Sequence, residues 1–234
     1  MTDIDYRDFD ALTFDCYGTL IDWEAGLLAG LRAFLDQRGV KASDDAVLEC
    51  YAATEAELER GPYMTYREIL GHGLVAVGAA YGHVPAKAEV DAFGGSVIDW
   101  PAFPDSAAAL ADLASRFKLG VITNCDDDLF AASNRRLGVT FDWVITAQQA
   151  RGYKPRIANF ELAFERIGLP RERILHVAQS LFHDHVPARQ LGLTTVWIDR
   201  RHGRPGSGAT PAASVTPDAV FIDMASFAEA ATRS

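Results

Sequence analysis

The chain has 234 residues, three cysteines, a formal net charge of −10 and 49% hydrophobic residues. A chain of this length buries roughly 70–75% of the surface its unfolded form would expose, enough for one large domain or for a core with a smaller accessory unit. Cys16, Cys50 and Cys125 are odd in number and lack Cys-x-x-Cys spacing, which argues against a disulfide framework and a structural zinc site. The acidic balance disfavours nucleic acid as a partner, because phosphate contacts need clustered Lys and Arg. Arg200, Arg201 and Arg204 form the main local exception, and the Gly206, Gly208 and Pro211 that follow make a solvated loop the expectation there. No uninterrupted apolar stretch is long enough to span a bilayer, and the acidic start, Met1 to Asp8, has no signal-peptide pattern. A cytoplasmic protein without a membrane partner is expected.

In chain order, Ala11-Leu-Thr-Phe14 is a short β-favouring run that ends at Asp15. Leu27, Leu28, Leu31, Phe34 and Leu35 then share a helical face, and Gly39 is placed to stop it. Ser43 caps a second helix with Asp44 and Asp45 in its first turn. Thr65-Tyr-Arg-Glu68 has capping-box spacing, and a further helix is expected between Pro85 and Trp100. After Pro101 the pattern changes. Asp105 opens an alanine-rich helix through Phe117, Leu119 to Thr123 reads as a buried strand, and Asp126 or Asp127 caps a helix ending near Gly138. Trp143 to Thr146 is another strand, and Phe160 to Ile167 belong to a helix ended by Gly168-Leu-Pro170. Strands follow at Ile174–Ala178, Thr194–Ile198 and Ala219–Ile222.

Strands alternating with helices at βαβ spacing predict an α/β fold: a Rossmann-like parallel sheet covered by helices, with functional groups at the strands' carboxyl ends. The all-helical block lies between the first strand and the rest. The expected organisation is therefore a core of residues 1–20 and 101–234 with an inserted helical cap over 21–100.

Four residue groups follow four strands in order: Asp15-Cys-Tyr-Gly-Thr19, Thr123-Asn124, Lys154-Pro155 and Asp184. Each alone is ordinary turn or capping chemistry. Together they resemble the haloacid dehalogenase superfamily over essentially the whole chain. The resemblance implies Asp15 as nucleophile, Thr123 as the hydroxyl binding phosphate or carboxylate, Lys154 as charge neutraliser and Asp184 as the last motif acid.

Phosphatases of that superfamily usually carry a second aspartate two residues after the nucleophile as general acid and base, and here that position is Tyr17. Such catalysis contributes roughly 10²–10⁴-fold. A poor leaving group needs the proton, whereas a halide leaves as a stable anion. Asp-x-Tyr-Gly-Thr and Tyr153-Lys154-Pro155 look like the (S)-2-haloacid dehalogenase branch. That implies an aspartyl-ester intermediate on a small carboxylate substrate, with Asp184 activating water. Cys16, Tyr17, Thr123, Asn124 and Ser180 are the candidate substrate-binding residues, with Tyr17 open to a packing role instead. No cofactor is expected on this reading. The alternative is a magnesium-dependent phosphatase, with Asp15, the Tyr17 carbonyl and Asp184 around the metal. Family resemblance leaves a homodimer possible.

Two departures stand out. The branch carries a halide-binding arginine early in the second cap helix, but Val47 to Thr54 contains none, and Arg60 and Arg67 lie further on. The usual Ser-x-Asn before the last acid is here Gln179-Ser180-Leu181. His183 and His185 flank Asp184 without a supporting cluster; a proton shuttle or pocket wall suits His183 better than metal ligation. The run Asp126-Asp-Asp128 reads as a helix N-terminus rather than a cation site. Cys16 and Cys125 each follow a candidate site residue on neighbouring strands, where ordinary burial or an oxidisable pair are both open.

Overall fold

The computed structural model describes residues 4–202 and 210–233. Its centre is β1 (Ala11–Phe14), from which the chain enters α1 (Trp23–Asp36), α2 (Asp44–Arg60), α3 (Tyr66–Ala80) and α4 (Lys87–Gly95) before returning to the sheet. There follow α5 (Ser106–Ala114), β2 (Lys118–Thr123), α6 (Asp127–Leu137), β3 (Trp143–Thr146), α7 (Ala147–Ala150) and α8 (Ala158–Ile167). The chain finishes with β4 (Ile174–Ala178), α9 (Val186–Gln190), β5 (Thr194–Ile198), β6 (Ala219–Phe221) and α10 (Met224–Thr232). The six strands pair in parallel in the order β3-β2-β1-β4-β5-β6.

The parallel sheet explains the apolar runs. All four residues of β1 and all five of β4 are buried, because helices cover both faces. Leu12, Phe14, Val121 and Val177 face one core, whereas Ala11, Ile122, Ile145 and Ile174 face the other with Phe160 and Ala163 of α8. The strand order reverses beside β1, whose neighbours are β2 and β4, so the chain leaves in opposite directions and opens a crevice at their carboxyl ends.

Of the inserted helices α1 to α4, α2 and α3 start where the sequence places their caps, at Ser43 and Thr65. The Asp22 carboxylate accepts from the Ala25 N–H, Ser43 from that of Ala46, and Thr65 with Glu68 closes a capping box. The two chain crossings meet at Asp22, whose N–H donates to the Pro101 carbonyl at 2.8 Å. Close packing fixes these helices. A Cβ on Gly26 would lie 2.3 Å from the Trp100 ring, and one on Gly73 2.4 Å from that of Tyr51.

Two local expectations are corrected. Asp126 stands at the N-cap of α6, but its carboxylate makes no cap bond there; it accepts from the N–H groups of Tyr66 and Arg67 at 3.0 and 3.1 Å and so caps α3. Arg200 and Arg201 are not in a solvated loop. Arg200 grips both oxygens of Asp105 at 2.9 Å and the Thr19 carbonyl, and Arg201 pairs with Glu24 at 2.8 Å. Arg204, Gly206 and Gly208 lie outside the described residues.

Gly26→Ala is expected to drive a methyl into the buried Trp100 ring and to lower stability by about 1–3 kcal/mol, read as a lower urea midpoint at unchanged slope.

Candidate active site

Asp15 directly follows β1, and its N–H still donates to the Val177 carbonyl of β4 at 3.1 Å. The chain then turns tightly through Gly18, at φ +93°, a conformation that an L side chain rarely adopts. This turn brings the Thr19 hydroxyl back to donate to Asp15 Oδ2 at 2.6 Å, while Thr19 Oγ1 accepts from the Gln179 N–H at 2.9 Å.

Lys154 reaches the same point from the loop after β3. Asn124 clamps its backbone on both sides, accepting from the Lys154 N–H at 2.7 Å and donating to the Lys154 carbonyl at 3.1 Å. The ammonium donates to Asp15 Oδ1 at 2.8 Å, Asp184 Oδ1 at 2.7 Å and the Ile122 carbonyl at 2.8 Å. An ammonium has three N–H donors, so this set engages all of them. Burial opposes the charge, but the two carboxylates overcome it and hold Lys154 above its ordinary value.

Asp184 comes from a turn of π-helix, Leu181–His185, that begins where the Ser180 hydroxyl accepts from the His183 N–H. His176 of β4 lies beneath it, with Nε2 3.1 Å from Asp184 Oδ1 and Nδ1 2.9 Å from the Thr13 hydroxyl. The carboxylate fixes the tautomer: Nε2–H donates to Asp184 and Nδ1 accepts from Thr13. Burial alone would raise the Asp184 carboxyl, but Lys154 and His176 hold it far below the ordinary range. Its Oδ2 is buried without a hydrogen-bond partner. For Asp15 burial outweighs Lys154 and Thr19, and the carboxyl is raised.

Opposite these groups stands a wall from α1, α2 and α3. Tyr51, Glu55 and Glu59 recur every fourth residue on one face of α2 and are buried. Glu55 Oε1 accepts from the hydroxyls of Tyr51 at 3.0 Å and Tyr66 at 3.1 Å, and Trp23 Nε1 donates to the latter hydroxyl. Glu59 Oε1 accepts from Asn124 Nδ2 at 3.2 Å, and its Oε2 lies 3.6 Å from His183 Nε2. Burial pushes Glu55 up to about 7 and Glu59 well above the usual carboxylate range, and it lowers His183 to about 4.

Asp15, Lys154 and Asp184 thus meet Glu55, Glu59 and the rings of Tyr17, Trp23 and Tyr66 around a cavity of about 40 Å³. About 10–15 Å³ holds one water, so the cavity suits a few waters or a small group. Glu59, Lys154 and His183 also border a neighbouring cleft of about 300 Å³.

Of the residues picked out from sequence, Asp15, Tyr17, Asn124, Lys154, Ser180 and Asp184 are brought to the cavity, whereas Cys16 and Thr123 are not. Cys16 is buried in the main core, and Thr123 is buried with its hydroxyl unpartnered. Tyr17 both lines the cavity and packs: its ring stacks on Tyr66 and its hydroxyl bonds Ser133 at 3.0 Å. Cys16 and Cys125 are free thiols pushed up by burial, which matches the reading of two small buried residues. His183 is a wall of the cavity, and His185 is buried with Nε2 on the Ala178 carbonyl. Neither Arg60 nor Arg67 lines the cavity; Arg67 pairs with Asp128. Thr19, His176, Glu55 and Glu59 are additions. The glutamates had a signal in the sequence, two acids four apart in the same stripe as Leu48 and Tyr51, and Thr19 sat inside the quoted motif.

A parallel sheet with a lysine between two carboxylates at its strand ends defines an α/β hydrolase architecture. A profile of haloacid dehalogenase-like hydrolases matches residues 9–181, well over half of the chain, and the chain belongs to that family. It is 24% identical over 218 residues to (S)-2-haloacid dehalogenase H-109 of Pseudomonas putida, covering 89% of this chain and 94% of that one. Haloacid dehalogenase-like hydrolase domain-containing protein 3 of Danio rerio is 32% identical over 109 residues, and the match spans 45% of each chain. Phosphatases are among the relatives as well. The L-2-haloacid dehalogenase structure from Xanthobacter autotrophicus superposes with a TM-score of 0.79 at 21% identity, over 94% of this chain and 97% of its own, and shows the shared fold. Among the described residues, no helix is long and apolar enough to cross a membrane.

The acidic wall makes a stability prediction. Because Glu55 binds its proton more tightly folded than unfolded, its contribution is fully present below the ordinary glutamate value and lost as pH rises through about 7. Between about pH 5 and about pH 8, wild type should therefore lose ~2–3 kcal/mol relative to Glu55→Gln, measured by urea unfolding at each pH. Parallel pH profiles would show that the carboxyl is not buried as described.

Proposed function

We propose that this hydrolase cleaves a bond at a carbon centre of a small carboxylate substrate, with Asp15 as nucleophile, as in haloacid dehalogenation. The observation carrying this reading is the Lys154 ammonium, hydrogen-bonded to both Asp15 and Asp184 beside one cavity. The Asp15 carboxylate attacks the substrate carbon; a C–O bond forms as the bond to the leaving group breaks, and that group departs with the electron pair. The aspartyl ester is neutral where the carboxylate was charged, so Lys154 then stays paired with Asp184. Asp184, held ionised and with Oδ2 unpartnered, accepts a proton from water, and the hydroxide adds to the Asp15 carboxyl carbon. The adduct collapses as its C–O bond to the substrate breaks; the departing oxygen takes the proton held by Asp184 and leaves as an alcohol, and Asp15, with one oxygen from water, releases its proton to solvent. Ser180 and the amide of Asn124 face the cavity on the side of the core. Helices α1 to α4 act as its cap.

The second reading, a magnesium-dependent phosphatase, is favoured by the phosphatases among the relatives. Its ligands would be Asp15, the Tyr17 carbonyl and Asp184. Both acids already share the Lys154 ammonium. The donor set suits a lysine better than a divalent cation, and no step above runs through one. The Tyr17 hydroxyl, bonded to Ser133, stands where that reading needs a second aspartate.

Halide release from (S)-2-chloropropanoate should survive EDTA and fall by about 10⁴-fold or more in Asp15→Asn. Single turnover in heavy-oxygen water should place the label in Asp15. Phosphomonoester hydrolysis that needs added magnesium, with no label in Asp15, would favour the phosphatase instead.

A further inference from the structure

The cavity wall opposite Asp15 is acidic where a departing halide calls for donors. Glu55 and Glu59 are each at least nine-tenths buried and line the cavity. Both hydrogen bonds that reach Glu55 from described residues end on Oε1, which leaves Oε2 without a donor. Glu59 Oε2 has only His183 Nε2 at 3.6 Å, beyond hydrogen-bonding distance, and that imidazole is neutral near pH 7. With Asp15 and Asp184, four carboxyl groups border one cavity. Among the described residues that line it, the one cation is Lys154, and all three of its N–H groups are committed elsewhere.

The rest of this wall is aromatic. Tyr17, Trp23 and Tyr66 line the cavity, and the Trp23 indole N–H donates to the Tyr66 hydroxyl, which holds the two rings together. Aromatic faces beside carboxylates attract an ammonium group by charge and by the ring quadrupole. Among the described residues the same wall offers a simple carboxylate anion no compensating cation.

We propose that the substrate is a zwitterion: a small carboxylate that also carries a protonated amine, seated between Glu55 and Glu59 against the rings of Tyr17, Trp23 and Tyr66. The placement of its reacting carbon at Asp15 rests on the hydrolase reading above, but the recognition of its amine does not. The raised pKa values of both glutamates follow, since each carboxyl is buried without the cation that would hold it ionised. Glu55 and Glu59 are thus specificity residues of the cap helices, in the region where the dehalogenase branch carries its arginine.

The test compares binding of 3-aminopropanoate, 3-hydroxypropanoate and propanoate to the wild-type protein, by calorimetry or ligand-observed NMR. None of the three carries a leaving group, so the comparison is independent of Asp15 chemistry, and failure of the heavy-oxygen experiment would leave it intact. 3-Aminopropanoate should bind about tenfold or more tightly than either of the others, as a charge-assisted contact provides. Glu55→Gln and Glu59→Gln should each remove most of that preference while leaving propanoate binding unchanged or improved. Equal or tighter binding of propanoate to wild type overturns the proposal without recourse to any variant, as does a preference that survives both substitutions.

Discussion

The structure turns on one buried cation. Lys154 draws Asp15 from the end of β1, Asp184 from the turn after β4 and the Ile122 carbonyl of β2 onto a single nitrogen. Alone at that depth each carboxylate would be driven toward neutrality and the lysine would lose its proton; pairing holds Lys154 and Asp184 charged, while the Asp15 carboxyl stays raised. The strand order makes the meeting possible, because β1 lies directly between β2 and β4 and the three carboxyl ends open together. Further hydrogen bonds then fix the orientation of each partner: Thr19 on Asp15, Asn124 on the Lys154 backbone, His176 on Asp184.

Much of this was legible in the chain. Strands buried on both faces leave uninterrupted apolar runs, and the caps at Ser43 and Thr65 and the left-handed glycine at Gly138 mark where helices begin and end. The acids and the lysine were legible through their order along the strands. What escaped depends on directions that a linear reading does not contain. Cys16 and Thr123 stand beside cavity residues in sequence, yet side chains alternate along an extended chain: Cys16 packs in the main core, and Thr123 is buried away from the cavity lining. Asp126 sits at a helix start but is turned across the interface to cap α3. Arg200 and Arg201, in a polar Gly-rich stretch, find Asp105 and Glu24, partners from distant segments that local composition cannot reveal. Glu55 and Glu59 were not picked out, because their helix is rich in charge, although their spacing from Tyr51 puts them in the buried stripe.

The two halves of the cavity carry different kinds of information. The strand-end half is shared in layout with a family whose chemistry is hydrolysis, and a fold of that kind hosts many substrates. The helical half is where this chain departs from the pattern it resembles. A halide or an oxyanion is stabilised by donors and positive charge; the groups α2 supplies to the cavity are carboxyls, while Arg67 pairs with Asp128 and Arg60 borders the neighbouring cleft. The reaction type and the substrate class are therefore argued from different residues, and one can stand without the other.

The coupling between the halves follows from their charge. As the proposed nucleophile Asp15 would have to be ionised to attack, yet its carboxyl is raised, with the nearby Asp184 charge adding to the effect of burial. Ionised glutamates across the same cavity would raise it further, so while Glu55 and Glu59 hold their protons they spare the nucleophile additional repulsion. A cation arriving between them reverses the balance. It allows both glutamates to ionise, and its own charge favours the ionised form of Asp15 a short distance away. On the proposed reading the substrate's amine would do more than anchor it, because its arrival would shift Asp15 toward the ionised state. An uncharged or anionic molecule of the same size would enter the cavity without that effect.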